Sequence, residues 1–253
     1  MILSRLLRPA ALLAAVFLAL PAARADTVNV AVAANFTEPA KEIAAAFKAA
    51  TGHEAVLSFG NSAQLLAQIS QAAPFQVFLS ADEERPAKAV QDGLALADSR
   101  FTYAIGKLVL WSRNPGLVTG EETLKAGQFN KLSIANPAAA PYGAAAMEVL
   151  KALGVADALQ GKIVMGNTIA QAFQFVDTGN AELGFVALSQ VVNTTAGSRW
   201  MAPQSLYRPI RQDAVLLKTG QDSAAAKAFL AFLKSPEAKG VIARFGYDDG
   251  SKD

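Results

Sequence analysis

Short apolar runs rich in β-branched residues alternate with helix-favouring stretches along the first third of the chain. The strand-like runs cover residues 28–34, 55–59 and 75–80, and the helix-favouring stretches cover residues 38–50, 63–71 and 82–92. Small polar residues and glycine separate the two kinds of segment. Alternating strands and helices of this size predict a mostly parallel sheet with crossover helices.

The same alternation resumes further along the chain, with different residues between the strands and the helices. Strands are predicted at residues 107–111, 133–135, 162–164, 183–187 and 214–217, and helices at 144–153, 169–178, 188–192 and 223–245, the last with a break near Ser235 and Pro236. Two such sets predict an α/β fold with two lobes, each a mostly parallel sheet flanked by helices. We expect residues 101–107 and 206–213 to cross between the lobes. The first lobe is then discontinuous, with residues 26–105 and 208–253, and the second spans residues 106–207.

The first 25 residues have the pattern of a secretory signal peptide. Arg5 and Arg8 precede an apolar run over residues 10–20, and Ala23-Arg24-Ala25 supplies a small-x-small cleavage site. An uncleaved anchor is the alternative, although the apolar run is too short to cross a bilayer comfortably. We therefore predict export to the periplasm through a cleavable signal peptide. No later apolar stretch predicts a membrane span.

Composition and charge narrow the possible chemistry. The 253 residues are 52% hydrophobic and 17% charged, which fits folded lobes rather than a disordered chain. Without residues 1–25 the chain carries 20 basic and 21 acidic side chains, so its charge indicates no nucleic-acid partner. The sequence holds no cysteine and a single histidine, His53, which excludes disulfides, thiol catalysis and multi-histidine metal sites. We expect no cofactor.

Four strand-to-helix junctions carry small or polar residues that can face a ligand. They lie at residues 33–35, 60–62, 141–143 and 167–169. Ligands of open α/β sheets bind at the carboxyl ends of strands, where helix starts present free N–H groups and about half a positive charge each. Four converging starts predict an oxyanion site built from neutral donors. The alternative is that Asn35, Ser62 and Thr168 are ordinary N-caps.

The sequence gives little support for catalysis. Asp82, Glu83 and Glu84 stand at a predicted helix start, where acidic residues complement the helix dipole. No glycine-flanked serine elbow and no plausible pair of nucleophile and base occur. Lys107 and Arg211 lie near the expected crossings, where we expect salt bridges.

Four segments of the chain resemble the periplasmic molybdate-binding proteins of ABC importers. The segments are residues 33–37, 59–62, 73–82 and 179–187, and the resemblance extends in order over the chain that follows the signal peptide. It implies a type II periplasmic-binding-protein fold, in which two lobes joined by two crossing segments close on the anion. It also implies delivery of molybdate or tungstate to an ABC permease in the inner membrane. Molybdenum is then present in the bound oxyanion alone, with no direct protein ligand.

The resemblance assigns ligand contact to Asn35, Ser62, Tyr142 and Ile169. The weaker candidates are Ala34, Asn61, Ala81, Thr168 and Ala187. Ala187 stands where many members of the family have a ligand-contacting tyrosine. We infer that Tyr142 supplies the missing phenol from a different element.

The sequence thus predicts an exported solute-binding protein for molybdate, and also for tungstate, that performs no catalytic turnover. We expect it to act as a monomer. The alternatives are a binder of another oxyanion such as sulfate, an exported enzyme on the same scaffold, and a lobed sensor domain.

Overall fold

The computed structural model describes residues 25–250, so the predicted signal peptide and its cleavage site lie outside the described residues, apart from Ala25. Ten strands within that range form two five-stranded sheets. The strands are β1 (Thr27–Ala33), β2 (Glu54–Gly60), β3 (Val77–Leu79), β4 (Phe101–Gly106), β5 (Leu108–Ser112), β6 (Leu132–Ala135), β7 (Ile163–Gly166), β8 (Leu183–Ala187), β9 (Ser198–Met201) and β10 (Ile210–Leu216).

Helices follow most of the strands and cover the faces of both sheets. They are α1 (Thr37–Thr51), α2 (Ser62–Ser70), α3 (Glu84–Gln91), α4 (Glu122–Ala126), α5 (Pro141–Ala152), α6 (Ala156–Leu159), α7 (Ile169–Asp177), α8 (Leu188–Val191), α9 (Ala224–Leu233) and α10 (Pro236–Arg244). A 3-10 turn, Ala34–Phe36, joins β1 directly to α1. Within residues 25–250, no helix combines the length and the apolar character needed to cross a bilayer.

The two sheets share one topology. The first has the strand order β2-β1-β3-β10-β4 and the second the order β7-β6-β8-β5-β9. In each sheet four strands run in one direction, and the strand next to one edge, β10 or β5, runs antiparallel to its neighbours. This confirms the prediction of two mostly parallel α/β lobes.

The chain passes between the lobes twice, once at Lys107 between β4 and β5, and once over residues 202–209 between β9 and β10. Each lobe has its own apolar core. Phe36, Phe47 and Phe229 are buried in the first lobe, and Leu110 and Phe185 in the second. The lobe boundaries proposed from the sequence, at residues 105/106 and 207/208, stay a prediction.

Several elements depart from the sequence prediction, among them the short helices α4 and α6, for which no helix was predicted. The crossing predicted over residues 101–107 contains β4, the crossing predicted over residues 206–213 contains the start of β10, and residues 198–201 form β9, for which no strand was predicted. Residues of β9 alternate between half-buried and exposed, so this edge strand lacks the apolar run that marks a buried one. Helix α5 begins at Pro141 rather than at residue 144, because proline is well tolerated at the first helical position.

Ion pairs lie beside both crossings, as the sequence predicted. The Lys107 ammonium lies 2.7 Å from an Asp248 carboxylate oxygen, and the Arg211 guanidinium lies 3.4 Å from that of Glu83. These pairs join the crossing region to other parts of the first lobe.

Candidate functional site

A small cavity lies between the lobes, where strand ends of the first lobe meet helix starts of both lobes. The first lobe lines it with Ala33, Ala34, Asn35, Gly60, Asn61, Ser62 and Ala81, and the second lobe with Ala140, Pro141, Tyr142 and Ile169. The pairing of Ala33 with Gly60 brings the ends of β1 and β2 side by side. Among these lining residues none is charged.

Four helix starts converge on this cavity, as the sequence predicted. They are the 3-10 turn leading into α1 and the first turns of α2, α5 and α7. First-turn N–H groups have no partner within their own helix, so each start offers donors and a partial positive charge. The cavity is therefore electropositive without a lysine or an arginine.

The lobes are closed over the cavity. Ser62 and Tyr142, which face it from opposite lobes, are each 1% exposed. Two hydrogen bonds join the lobes at its rim: the Ala63 N–H donates to the Ala139 carbonyl at 3.3 Å, and the Asn61 side-chain amide donates to the Asn167 carbonyl at 3.0 Å. Hydrogen bonds to a ligand held here gain strength from the low local dielectric.

Ser62 is the first residue of α2, and its hydroxyl oxygen accepts the Ala81 N–H at 3.0 Å. That contact orients the hydroxyl and leaves its proton for another acceptor. The N-cap of α2 is Asn61, whose side-chain oxygen accepts the Gln64 N–H at 2.7 Å. The reading of Ser62 as an ordinary N-cap is therefore wrong, and the N–H of Ala81 is already committed to Ser62.

Asn35 is buried, and its side-chain amide donates to other residues of the protein rather than to a ligand. Its Nδ2 donates to the side-chain oxygen of Gln212 at 2.8 Å and to the Tyr247 hydroxyl at 3.0 Å. These contacts use both side-chain N–H groups. In this geometry the side-chain amide of Asn35 is engaged within the protein, so the groups that Asn35 can offer a ligand are those of its backbone.

Tyr142 lies in the first turn of α5 and brings a phenol into the cavity from the second lobe. Its hydroxyl oxygen accepts the Gln212 Nε2–H at 3.3 Å. Burial raises the pKa of Tyr142 well above its ordinary value, and the neighbouring hydroxyls of Tyr247 and Tyr103 raise that pKa further. The phenol is therefore neutral and faces the cavity as a hydrogen-bonding hydroxyl, not as an anion.

A buried polar network behind Asn35 and Tyr142 escaped the sequence analysis. It consists of Tyr103 from β4, Ser189 from α8, Gln212 from β10 and Tyr247 after α10. Burial raises the pKa of Tyr247 to about 12. The sequence offers no signal for Gln212, which stands between the charged residues Arg211 and Asp213 and is nevertheless buried in β10.

The remaining candidates divide into two groups. Ala34, Asn61, Ala81 and Ile169 line the cavity, and Ile169 does so as the first residue of α7. Thr168 and Ala187 do not line it. The Thr168 hydroxyl accepts the Gln171 N–H at 3.0 Å as an N-cap, and the Ala187 N–H donates to the Gln190 side-chain oxygen at 2.9 Å.

A larger, charged groove adjoins the cavity and shares Ala81 and Pro141 with it. Three pairs of acidic and basic side chains line it. Asp82 pairs with Arg85, Glu148 lies 2.7 Å from Arg208, and Glu83 lies 3.4 Å from Arg211. The Asp82 carboxylate also accepts the Arg85 N–H at 3.1 Å at the start of α3, which agrees with a helix-start role.

The arrangement suits the binding of an anion. In the described range 25–250, no group of three or more acidic, histidine or cysteine side chains could hold a metal ion. What the cavity offers is a shielded set of neutral N–H and O–H donors. Such a set can hold an oxyanion through hydrogen bonds alone.

Two α/β lobes that close on a buried polar cavity define a solute-binding protein. Residues 28–248 match the family described as bacterial extracellular solute-binding protein, and the chain belongs to this family.

Characterised relatives resemble the chain over nearly all its length. The molybdate-binding protein ModA of Rhodobacter capsulatus is 56% identical over 230 residues, which cover 91% of each chain. The structure of the periplasmic molybdate-binding protein of Azotobacter vinelandii superposes with a TM-score of 0.85 at 43% identity, covering 87% of this chain and 98% of that one. The sulfate-binding protein SubI of Mycobacterium tuberculosis, at 14% identity and a TM-score of 0.73 over 90% and 88% of the two chains, shares the fold.

Proposed function

We propose that this protein captures molybdate in the cavity between its lobes and delivers it to an ABC importer. The observation that carries the proposal is the closed, uncharged cavity lined by four helix starts. The names of the relatives at 56% and 43% identity support molybdate as the anion.

The electrostatics of the cavity match a dianion. Each helix start contributes roughly half a positive charge, so four starts supply about two. The Ser62 and Tyr142 hydroxyls add neutral donors from opposite lobes. A ligand that bridges the two lobes stabilises the closed state, because it makes its full set of contacts only there.

Size and protonation select among oxyanions in such a cavity. Hydrogen phosphate carries a proton that would be buried without an acceptor, at a cost of about 1–3 kcal/mol. Sulfate carries no such proton but has shorter bonds than molybdate. Its hydrogen bonds would be stretched beyond the optimal range of about 2.7–3.2 Å. Tungstate is close to molybdate in size, so the cavity should hold both.

We expect calorimetric titration to rank molybdate and tungstate together, with sulfate and phosphate far weaker. Titration of the other anions into the molybdate-bound protein extends the range of affinities that calorimetry can compare. Displacement of molybdate by sulfate at a comparable concentration would contradict the assignment and favour the sulfate alternative.

Replacement of Ser62 by alanine should weaken molybdate binding about tenfold to a hundredfold, because a hydrogen bond to a charged group contributes about 1.5–3 kcal/mol. Ser70→Ala, at the opposite end of α2, is a matched control, since the Ser70 hydroxyl contacts only its own helix at the Leu66 carbonyl. Calorimetry on both variants decides the matter. Equal affinities would remove Ser62 from the site.

We further propose that the protein is exported through the signal peptide at residues 1–25, acts in the periplasm as a monomer, and meets a permease in the inner membrane. It binds its anion without chemical turnover. The family description and the relatives' names as binding proteins support this.

A further inference from the structure

Gln212 connects the two halves of the site. It lies in β10, shortly after the second crossing, and it is fully buried. Its Oε1 accepts the Asn35 Nδ2–H at 2.8 Å and lies 3.1 Å from the Tyr103 hydroxyl. Its Nε2 donates to the Tyr142 hydroxyl oxygen at 3.3 Å. One side chain therefore joins a first-lobe lining residue to a second-lobe lining residue.

The orientation of this amide is determined by its neighbours. The Asn35 Nδ2 has only hydrogens to offer, and it uses them on Gln212 and on the Tyr247 hydroxyl. If the Gln212 amide were reversed, its N–H group would point at the Asn35 N–H group inside the protein. Both donors would then be buried without an acceptor, which costs the free energy of their desolvation. The Nε2–H groups of Gln212 consequently face Tyr142.

Close packing leaves these groups little freedom. A Cβ atom at Gly106, the last residue of β4, would lie 2.1 Å from the Tyr142 hydroxyl and 2.7 Å from the Gln212 Nε2. The phenol and the amide therefore lie directly against the backbone of the first crossing. They can meet in this way only when the second lobe is closed onto the first.

We propose that Gln212 is a positioning residue that holds the Tyr142 hydroxyl toward the bound anion when the lobes close. The inference rests on the proposed molybdate function. Gln212 occupies an acceptor site of the phenol oxygen, which leaves the phenol proton for one of two acceptors, the neighbouring Tyr247 hydroxyl or the anion. An oxyanion is a stronger acceptor than any neighbouring hydroxyl and takes that proton.

A double-mutant cycle tests this directly, with molybdate affinities measured by calorimetry for the wild-type protein, Gln212→Met, Tyr142→Phe and the double variant. Each single change should weaken binding about tenfold. Because Gln212 acts through the Tyr142 hydroxyl, the double variant should be no weaker than either single one. Multiplicative losses of about a hundredfold, or an unchanged affinity in Gln212→Met, would overturn the proposal.

A charged variant provides a readout that a purely structural role would not give. In Gln212→Glu, the new carboxylate attracts the phenol proton and repels the anion, so we expect a loss of about a hundredfold at pH 8 relative to the wild-type protein at that pH. Burial raises the pKa of a carboxyl group, and its protonated form can again donate to Tyr142. The loss should therefore shrink toward pH 6, and a pH-independent loss would count against the mechanism.

Two controls separate the possible failures. Gln174→Met makes the same change at an exposed position of α7 and should leave binding and thermal unfolding unaltered. If the wild-type protein does not bind molybdate, the proposed function fails. If it binds molybdate while the cycle is multiplicative, the role of Gln212 alone fails.

Discussion

Replacement of Gly106 by alanine is expected to abolish tight molybdate binding while both lobes remain folded. The added Cβ would lie 2.1 Å from the Tyr142 hydroxyl and 2.9 Å from its ring carbon Cζ, distances that real Cβ atoms do not show. Tyr142 belongs to the second lobe, so the collision with its ring and hydroxyl is relieved when the lobes stay apart, while the Gln212 side chain, 2.7 Å away in the first lobe, has to shift in place. Every second-lobe donor is then lost, which at about 1.5–3 kcal/mol for each bond weakens binding on the order of a thousandfold.

Scattering and calorimetry together check this result. The wild-type protein should contract when molybdate is added, and the Gly106→Ala variant should not. Gly161→Ala is the matched control, because no heavy atom lies within 4 Å of the Cβ added there. A Gly106→Ala variant that contracts and binds as the wild type does would show that Tyr142 can be displaced without cost. Closure of the lobes would then not depend on the contact between Tyr142 and Gly106.

Replacement of Gly143 by alanine should strongly destabilise the second lobe. Its Cβ would lie 2.1 Å from the Ala135 carbonyl oxygen and 3.0 Å from the Asn136 carbonyl carbon, both of them backbone atoms. The backbone of β6 cannot relieve the contact by a change of rotamer, as a side chain can. Helix α5 must therefore move away from the sheet. Overpacking of this kind costs about 3 kcal/mol. For a chain of this size that corresponds to a fall in Tm of about 6–12 °C.

Thermal unfolding measures the change, and a second glycine supplies the control. Gly240 lies in α10, where the nearest atom to an added Cβ is the flexible end of Arg244 at 4.0 Å. Gly240→Ala should therefore raise the stability by about 0.5–1 kcal/mol, since glycine costs that much inside a helix. Equal Tm values for Gly143→Ala and the wild-type protein would mean that α5 is not packed against β6 as described.

The two variants test two close contacts that together position Tyr142. Gly143 lets α5 approach the sheet closely enough to place Tyr142 at the cavity, and Gly106 lets the Tyr142 hydroxyl approach the first lobe. Gln212 then meets that hydroxyl from β10. The close approach of the lobes thus uses two glycines, and we expect an anion held as proposed to stabilise the closed arrangement by bridging the same lobes.

The sequence by itself determined the two α/β lobes and the four helix starts at the site. These features follow from local patterns. The apolar run of residues 183–187 predicts a strand that the structure places at Leu183–Ala187, and Thr168 with Ile169 marks the start of α7 correctly. Burial of a short apolar run and capping of a helix depend on neighbouring residues, so the sequence expresses them directly.

Only the tertiary structure decided which polar groups face the cavity. The Asn35 amide turns to Gln212 and Tyr247, which lie 177 and 212 positions away along the chain, and no local pattern announces those pairs. The same holds for Tyr142, which reaches the cavity from α5 and meets Gln212, 70 positions further along the chain. A buried polar group must find a partner wherever the folded chain supplies one, so its direction is set by packing rather than by sequence neighbours.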